Sequence, residues 1–138
     1  MTQLKISDLS VGDWVQAQFP NGDKWNERIL YLSNTGRLEV QYKDGKPVRC
    51  TIDFIQPIPI TPEILEKNGF AFLPDDNPRH LRFVDGNIVI STYEGRETFA
   101  LYCYNDMGWT ETFSQTLRYI HQLQHELRLA GVEKEIVL

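Results

Sequence analysis

Three prolines within six residues, Pro57-Ile58-Pro59-Ile60-Thr61-Pro62, constrain this chain more than any other feature. Proline locks φ near about −65°, removes a backbone donor and pushes the preceding residue out of the helical region. A helix or a central strand is therefore forbidden there, and the segment reads as a short stiff connector. The halves it separates differ in charge. Up to residue 58, 7 basic and 7 acidic residues cancel; beyond it, 7 basic residues face 12 acidic ones, so the whole net charge of −5 lies in the second half. The expected organisation is a unit over 1–56, a connector over 57–62 and a second unit over 63–138.

The first half carries the period-two pattern of half-buried strands. Val15, Ala17 and Phe19 share one face of a strand that begins near Asp13. Asn21-Gly22 supplies the positive φ angles of a tight hairpin. Residues 25–32 form a second strand candidate, ended by Asn34-Thr35-Gly36. Leu38, Val40 and Tyr42 mark a third, Asp44-Gly45 a further hairpin, and Val48, Cys50 and Ile52 a fourth. Short strands broken by glycine turns predict a small antiparallel barrel. The string Val11-Gly12-Asp13-Trp14-Val15 resembles the opening strand of SH3-like and Tudor-like barrels.

The second half mixes both element types. Thr61 can cap a helix that has Pro62 at its first position and stops at Asn68-Gly69. Asp85-Gly86 joins strands over 80–84 and 87–91, and a third strand over 98–104 runs antiparallel to the second. A long helix is expected over 115–130, stopped by Gly131. Its buried arc holds Phe113, Leu117, Ile120, Leu123, Leu127 and Ala130, with Tyr119 at the margin, and packs on the three strands. The tail 132–138 adds a short strand through Ile136 and Leu138 or frays. The fold class is thus α+β: an N-terminal SH3-like small β-barrel followed by an α-β-β-β-α unit.

Composition bounds the function. With 138 residues, 41% hydrophobic and 24% charged, the chain is globular and able to bury a core without staples. Its 2 cysteines, Cys50 and Cys103, make neither a disulfide framework nor a four-thiolate zinc site, and an activated thiolate is not expected. No membrane span is expected, and the opening Met-Thr-Gln-Leu-Lys-Ile-Ser lacks the apolar core of a signal peptide, so a cytoplasmic location is expected. The acidic balance argues against a long nucleic acid as partner. Walker loop, dinucleotide fingerprint and nucleophile elbow are absent from the sequence, and no cofactor is expected.

Two strings resemble a family. Residues 57–70 read Pro-Ile-Pro-Ile-Thr-Pro-Glu-Ile-Leu-Glu-Lys-Asn-Gly-Phe, and residues 117–124 read Leu-Arg-Tyr-Ile-His-Gln-Leu-Gln. In order and spacing they resemble small uncharacterised proteins of phages and prophages of Bacteroidetes bacteria, which carry a Pro-Ile-Pro-Leu-Thr string ending in Gly-Phe and a later Tyr-Val-His-Gln-Leu-Gln string. This chain departs from them at Pro62 and Ile64, where Glu and Trp are usual, and at His125-Glu126-Leu127-Arg128, which replaces an apolar and aromatic continuation. The resemblance brings no catalytic residue or cofactor. It implies a mobile-element context, in which small proteins act against host machinery.

Candidate site residues concentrate on the long helix. His121 and His125 stand four apart, a spacing used by zinc peptidases, but position 122 is Gln where the general base would be, and His80 is the one further histidine. Arg118, His121, His125 and Arg128 project at about 140°, 80°, 120° and 60° on the wheel, one cationic stripe suited to a phosphate or carboxylate surface. Trp25 in the barrel half and Trp109 in a loop are aromatic candidates for stacking on a base. Asp75-Asp76 reads as a solvated turn. The expected function is a non-enzymatic binding protein acting by occupancy on a host protein or a small nucleotide ligand, with counter-defence by nucleotide sequestration as its sharpest form. A protein–protein adaptor, a self-associating virion or assembly factor, and a metal-assisted hydrolase using His121 and His125 are the alternatives.

Overall fold

The computed structural model describes residues 4–42, 44–104 and 110–138, with Thr110, Glu111 and Phe113 described by their backbone alone. The chain divides into two compact units, Met1–Ile58 and Pro59–Leu138. Among the described residues the fold is α+β with β dominant: ten strands in two antiparallel five-stranded sheets, with two short α-helices.

In the first unit, β1 (Trp14–Gln18), β2 (Lys24–Leu32), β3 (Arg37–Gln41), β4 (Pro47–Thr51) and β5 (Ile55–Gln56) form one sheet in the order β4-β3-β2-β1-β5. The turns stand where the glycine signals lie, with Gly22 at φ 92° and Gly45 at φ 87°. Val15, Ala17, Ile29, Leu38, Val40 and Ile55 build the core. Asp13 is fully buried, and its carboxylate accepts the Ser10 N–H at 2.7 Å, which offsets part of the cost of burying it. The fourth strand ends sooner than the alternation suggests: Ile52 opens a 3-10 turn, Ile52–Phe54, which delivers β5 to β1. No ladder joins β4 to β5 among the described residues, so the sheet stays open at both edges instead of closing as a barrel.

In the second unit, α1 spans Pro62–Lys67, with the Thr61 hydroxyl accepting the Ile64 N–H at 3.3 Å and Gly69 at φ 88° beyond its end. Then come β6 (Ala71–Leu73), β7 (His80–Asp85), β8 (Ile88–Tyr93), β9 (Phe99–Tyr104), β10 (Thr110–Leu117) and α2 (Ile120–Leu129). The sheet order is β10-β9-β8-β7-β6, so two strands join the three expected. The expected helix over 115–130 is corrected at its start. Residues 115–117 belong to β10, whose pairing with β9 shifts register at Thr112/Ser114 and Ser114/Leu117. The helix end matches: Gly131 N–H reaches the Arg128 carbonyl at 3.0 Å and Val132 N–H the Leu127 carbonyl at 2.9 Å, a Schellman closure.

Leu117, Ile120, Leu123 and Leu127 are buried as the arc required, while Ala130 is half-buried. The tail neither frays nor forms a strand. Ile136 is buried, and the Asn68 amide donates to the Val137 carbonyl at 2.9 Å and accepts the Val137 N–H at 2.8 Å. Among the described residues no helix is long and apolar enough to cross a membrane.

Candidate groove in the second unit

The three prolines that constrain the connector do not isolate their segment. Ile60 N–H donates to the Arg118 carbonyl at 2.9 Å, and Pro59 forms an antiparallel bridge with Tyr119. Ile60 itself is buried. Proline lacks a donor but keeps its carbonyl, so an alternating Pro-Ile-Pro run can pair along one edge. On the other side, Gln122 at the third position of α2 turns its side chain back, and its Oε1 accepts the N–H of Arg118 at 2.9 Å and of Tyr119 at 3.1 Å. These bonds satisfy donors that the helix start would leave open and fix residues 118–119 in place.

A third segment completes the site. The turn between β8 and β9 is fixed by the buried Thr92, whose hydroxyl donates to the Thr98 carbonyl at 2.7 Å. Gly95 at φ 87° and the Arg96 N–H bond to the Tyr93 carbonyl at 2.9 Å shape its tip, and the Glu94 N–H reaches the Arg79 carbonyl at 2.8 Å. Together the three segments enclose a groove of about 530 Å³. Its apolar lining includes Leu81, Phe99, Tyr93, Tyr119, Pro59 and Pro62; its charged lining is Arg96, Arg118, Glu63, Glu94 and Glu97.

Both cations of the groove are engaged within the chain. Arg118 pairs with Glu97 at 3.4 Å, an exposed contact that salt screens readily. The Arg96 guanidinium lies 5.0 Å from the centroid of the Tyr93 ring, within cation–π range. The carboxylates of Glu63 and Glu94 have no hydrogen bond or ion pair among the described residues.

Tyr93 is in turn held by a cluster that the sequence reading passed over. The His80 ring stacks on it with centroids 4.8 Å apart and planes at 22°. His80 Nδ1 lies 2.5 Å from Asp75 Oδ2, and Arg82 donates to the Pro74 carbonyl at 2.8 Å, 3.9 Å from Asp75 Oδ1. Asp75 is therefore no free solvated turn. The hydrogen bond to His80, then the Asp76 N–H and the Arg82 charge, hold its carboxyl below the usual carboxylate range.

The predicted stripe does not form one solvent-facing row. Arg118 precedes α2, which begins only at Ile120, and it lines the groove. His121 is 3% exposed, on the buried side of the helix, with its ring stacked on Tyr119 at 5.9 Å and edge-on to His125 at 5.9 Å. His125 is half-buried, and Arg128 is exposed with its Nε donating to the Gln124 carbonyl at 3.4 Å. Among the described residues, no three His, Cys, Asp or Glu side chains gather as metal ligands.

Trp25 belongs to the core of the first unit. It is 8% exposed, its indole N–H donates to the Gln41 carbonyl at 2.9 Å, and Phe19 and Tyr42 pack on its ring. Trp109 lies outside the described residues. Burial pushes the Cys50 thiol up to about 11, which keeps it protonated at neutral pH.

The first unit has a larger concavity, about 780 Å³, over the β2–β3–β4 meander, with Tyr31 as its single aromatic ring and Arg49 paired with Glu39 at 3.1 Å. The sequence reading missed Tyr93, Arg96, Thr92 and Gln122. The local signal for Tyr93 and Arg96 was a glycine turn crowded with charge, Tyr93-Glu94-Gly95-Arg96-Glu97, while Gln122 lies in the 117–124 string. No known protein family, curated protein or solved structure matches the chain.

Proposed function

We propose that this chain is a non-enzymatic binding protein that acts by occupancy, holding a partner in the groove of its second unit. One observation carries the reading. The two strings that resemble phage and prophage proteins, 57–70 and 117–124, are bonded to each other through Ile60 and Arg118 and supply two of the groove's three walls. Far apart in sequence, they meet at one concave surface lined by rings and edged by charge, the form expected of a binding site. In the mobile-element setting implied by that resemblance, the partner is a host component in the cytoplasm. The first unit is read as an open SH3-like fold, supported by the order β4-β3-β2-β1-β5 and the 3-10 turn before β5.

A second reading, sequestration of a nucleotide, draws on Arg118 and Arg96 for phosphate and on Tyr93 or Tyr119 for stacking. A thermal-shift screen of the whole chain against nucleotides, divalent metals and peptides of basic, neutral and acidic composition tests both. A ligand at 100 times its Kd should stabilise the fold by about 2.7 kcal/mol. The shift should vanish in a Tyr93→Ala variant that still melts cooperatively. A shift that survives Tyr93→Ala, or no shift with any compound or peptide, contradicts the groove reading.

A further inference from the structure

The charge inside the groove distinguishes its occupants. We infer that the groove takes a lysine- or arginine-bearing segment of a partner protein, an inference that rests on the occupancy reading above. Arg118 and Arg96 are already engaged, the first with Glu97 at 3.4 Å and the second on the Tyr93 ring at 5.0 Å. Glu63 and Glu94 line the same groove, and among the described residues their carboxylates have no partner. An anion entering here meets those carboxylates and competes with Glu97 for Arg118. A cation meets open carboxylates and a ring face that already accepts a guanidinium, and opposite charge across an interface favours the encounter.

Arg96 is then an internal placeholder. It occupies on Tyr93 the position that an incoming cation takes, and it swings out to solvent from an exposed turn when displaced. The background field agrees, since the net charge of −5 falls wholly on the residues after 58, those of the second unit, and steers basic segments toward it.

The test is a calorimetric titration of the full chain with an unstructured peptide of alternating lysine, arginine and glycine, beside a glutamate and glycine counterpart. The basic peptide should bind, more weakly as salt rises. The pair Glu63→Gln and Glu94→Gln should lower its affinity roughly three- to tenfold. The pair Glu66→Gln and Glu133→Gln changes charge equally outside the groove lining and should leave affinity nearly unchanged. Arg96→Ala should hold affinity or raise it. Equal losses in the two paired variants would mean general attraction to an acidic protein and would overturn the inference. Binding of the acidic peptide or of ATP, lost on Arg118→Ala, would overturn it while leaving the groove reading intact. Failure of the basic peptide to bind at low salt also overturns it, and the Tyr93→Ala screen then decides the groove reading separately.

Discussion

Tyr93 is the residue on which the chemistry of the site converges. His80 stacks on it, Arg96 covers it, and Asp75 fixes His80 from 2.5 Å away. The Asp75 contact has a pH signature. Its carboxyl titrates in the folded chain below the ordinary 3.8. The folded state therefore favours the ionised form, and the resulting stability is present above that value and is lost as pH falls through the lowered one. Asp75→Asn should flatten the loss of stability on the acid side of about pH 4, read as urea midpoints across a pH series. Identical acid limbs in variant and parent would contradict this. Thr92 offers a second check at this scale. Thr92→Val removes the donor to the half-buried Thr98 carbonyl and should cost about 1 kcal/mol, with faster amide exchange through residues 93–98. Unchanged stability would mean that the hydroxyl bond does not fix the turn.

At the scale of elements, local grammar decided what could be read from sequence. Helix α1 was legible to the residue because Thr61, Pro62 and Asn68-Gly69 each act on their own neighbours. Thr61→Ala should cost about 1 kcal/mol in denaturant unfolding, and no change would remove the hydroxyl from the cap. The strand β10 was not legible. Phe113 and Leu117 stand four apart in sequence, a spacing that one face of a strand shares with one face of a helix, so spacing alone does not separate the two. Neither was β6, three exposed residues, Ala71–Leu73, with no buried side to set a period. The groove escaped for a different reason. Its walls come chiefly from 59–63, 92–99 and 118–119, and two of them meet through the Ile60–Arg118 bond and the Pro59–Tyr119 bridge, contacts between residues nearly sixty apart in the chain. The tail also depends on one distant side chain. Asn68→Ala should release Val137, raising its amide exchange at least about tenfold if the clamp is worth the 1.4 kcal/mol or more expected of two hydrogen bonds. Unaltered exchange would show that burial of Ile136 alone holds the segment.

On the scale of the whole molecule, the chain assigns different burdens to its two units. The first has balanced charge and places Trp14 and Trp25 in buried positions, although Tyr31 stays exposed. The second carries the net charge and leaves rings and carboxylates on view, with Tyr93 41% exposed. The cationic stripe read from the sequence is split because α2 begins only at Ile120, which leaves Arg118 before the helix, and because His121 lies on the buried side. The measurement that tests this account most directly is residue-resolved amide mapping of the full chain, titrated with the peptide or compound that gives the largest thermal shift. Perturbations should gather on residues 60–63, 93–97 and 118–119 and disappear in Tyr93→Ala. Perturbations confined to the first unit, or spread without reference to the groove, would contradict the claim that this surface is where the chain binds.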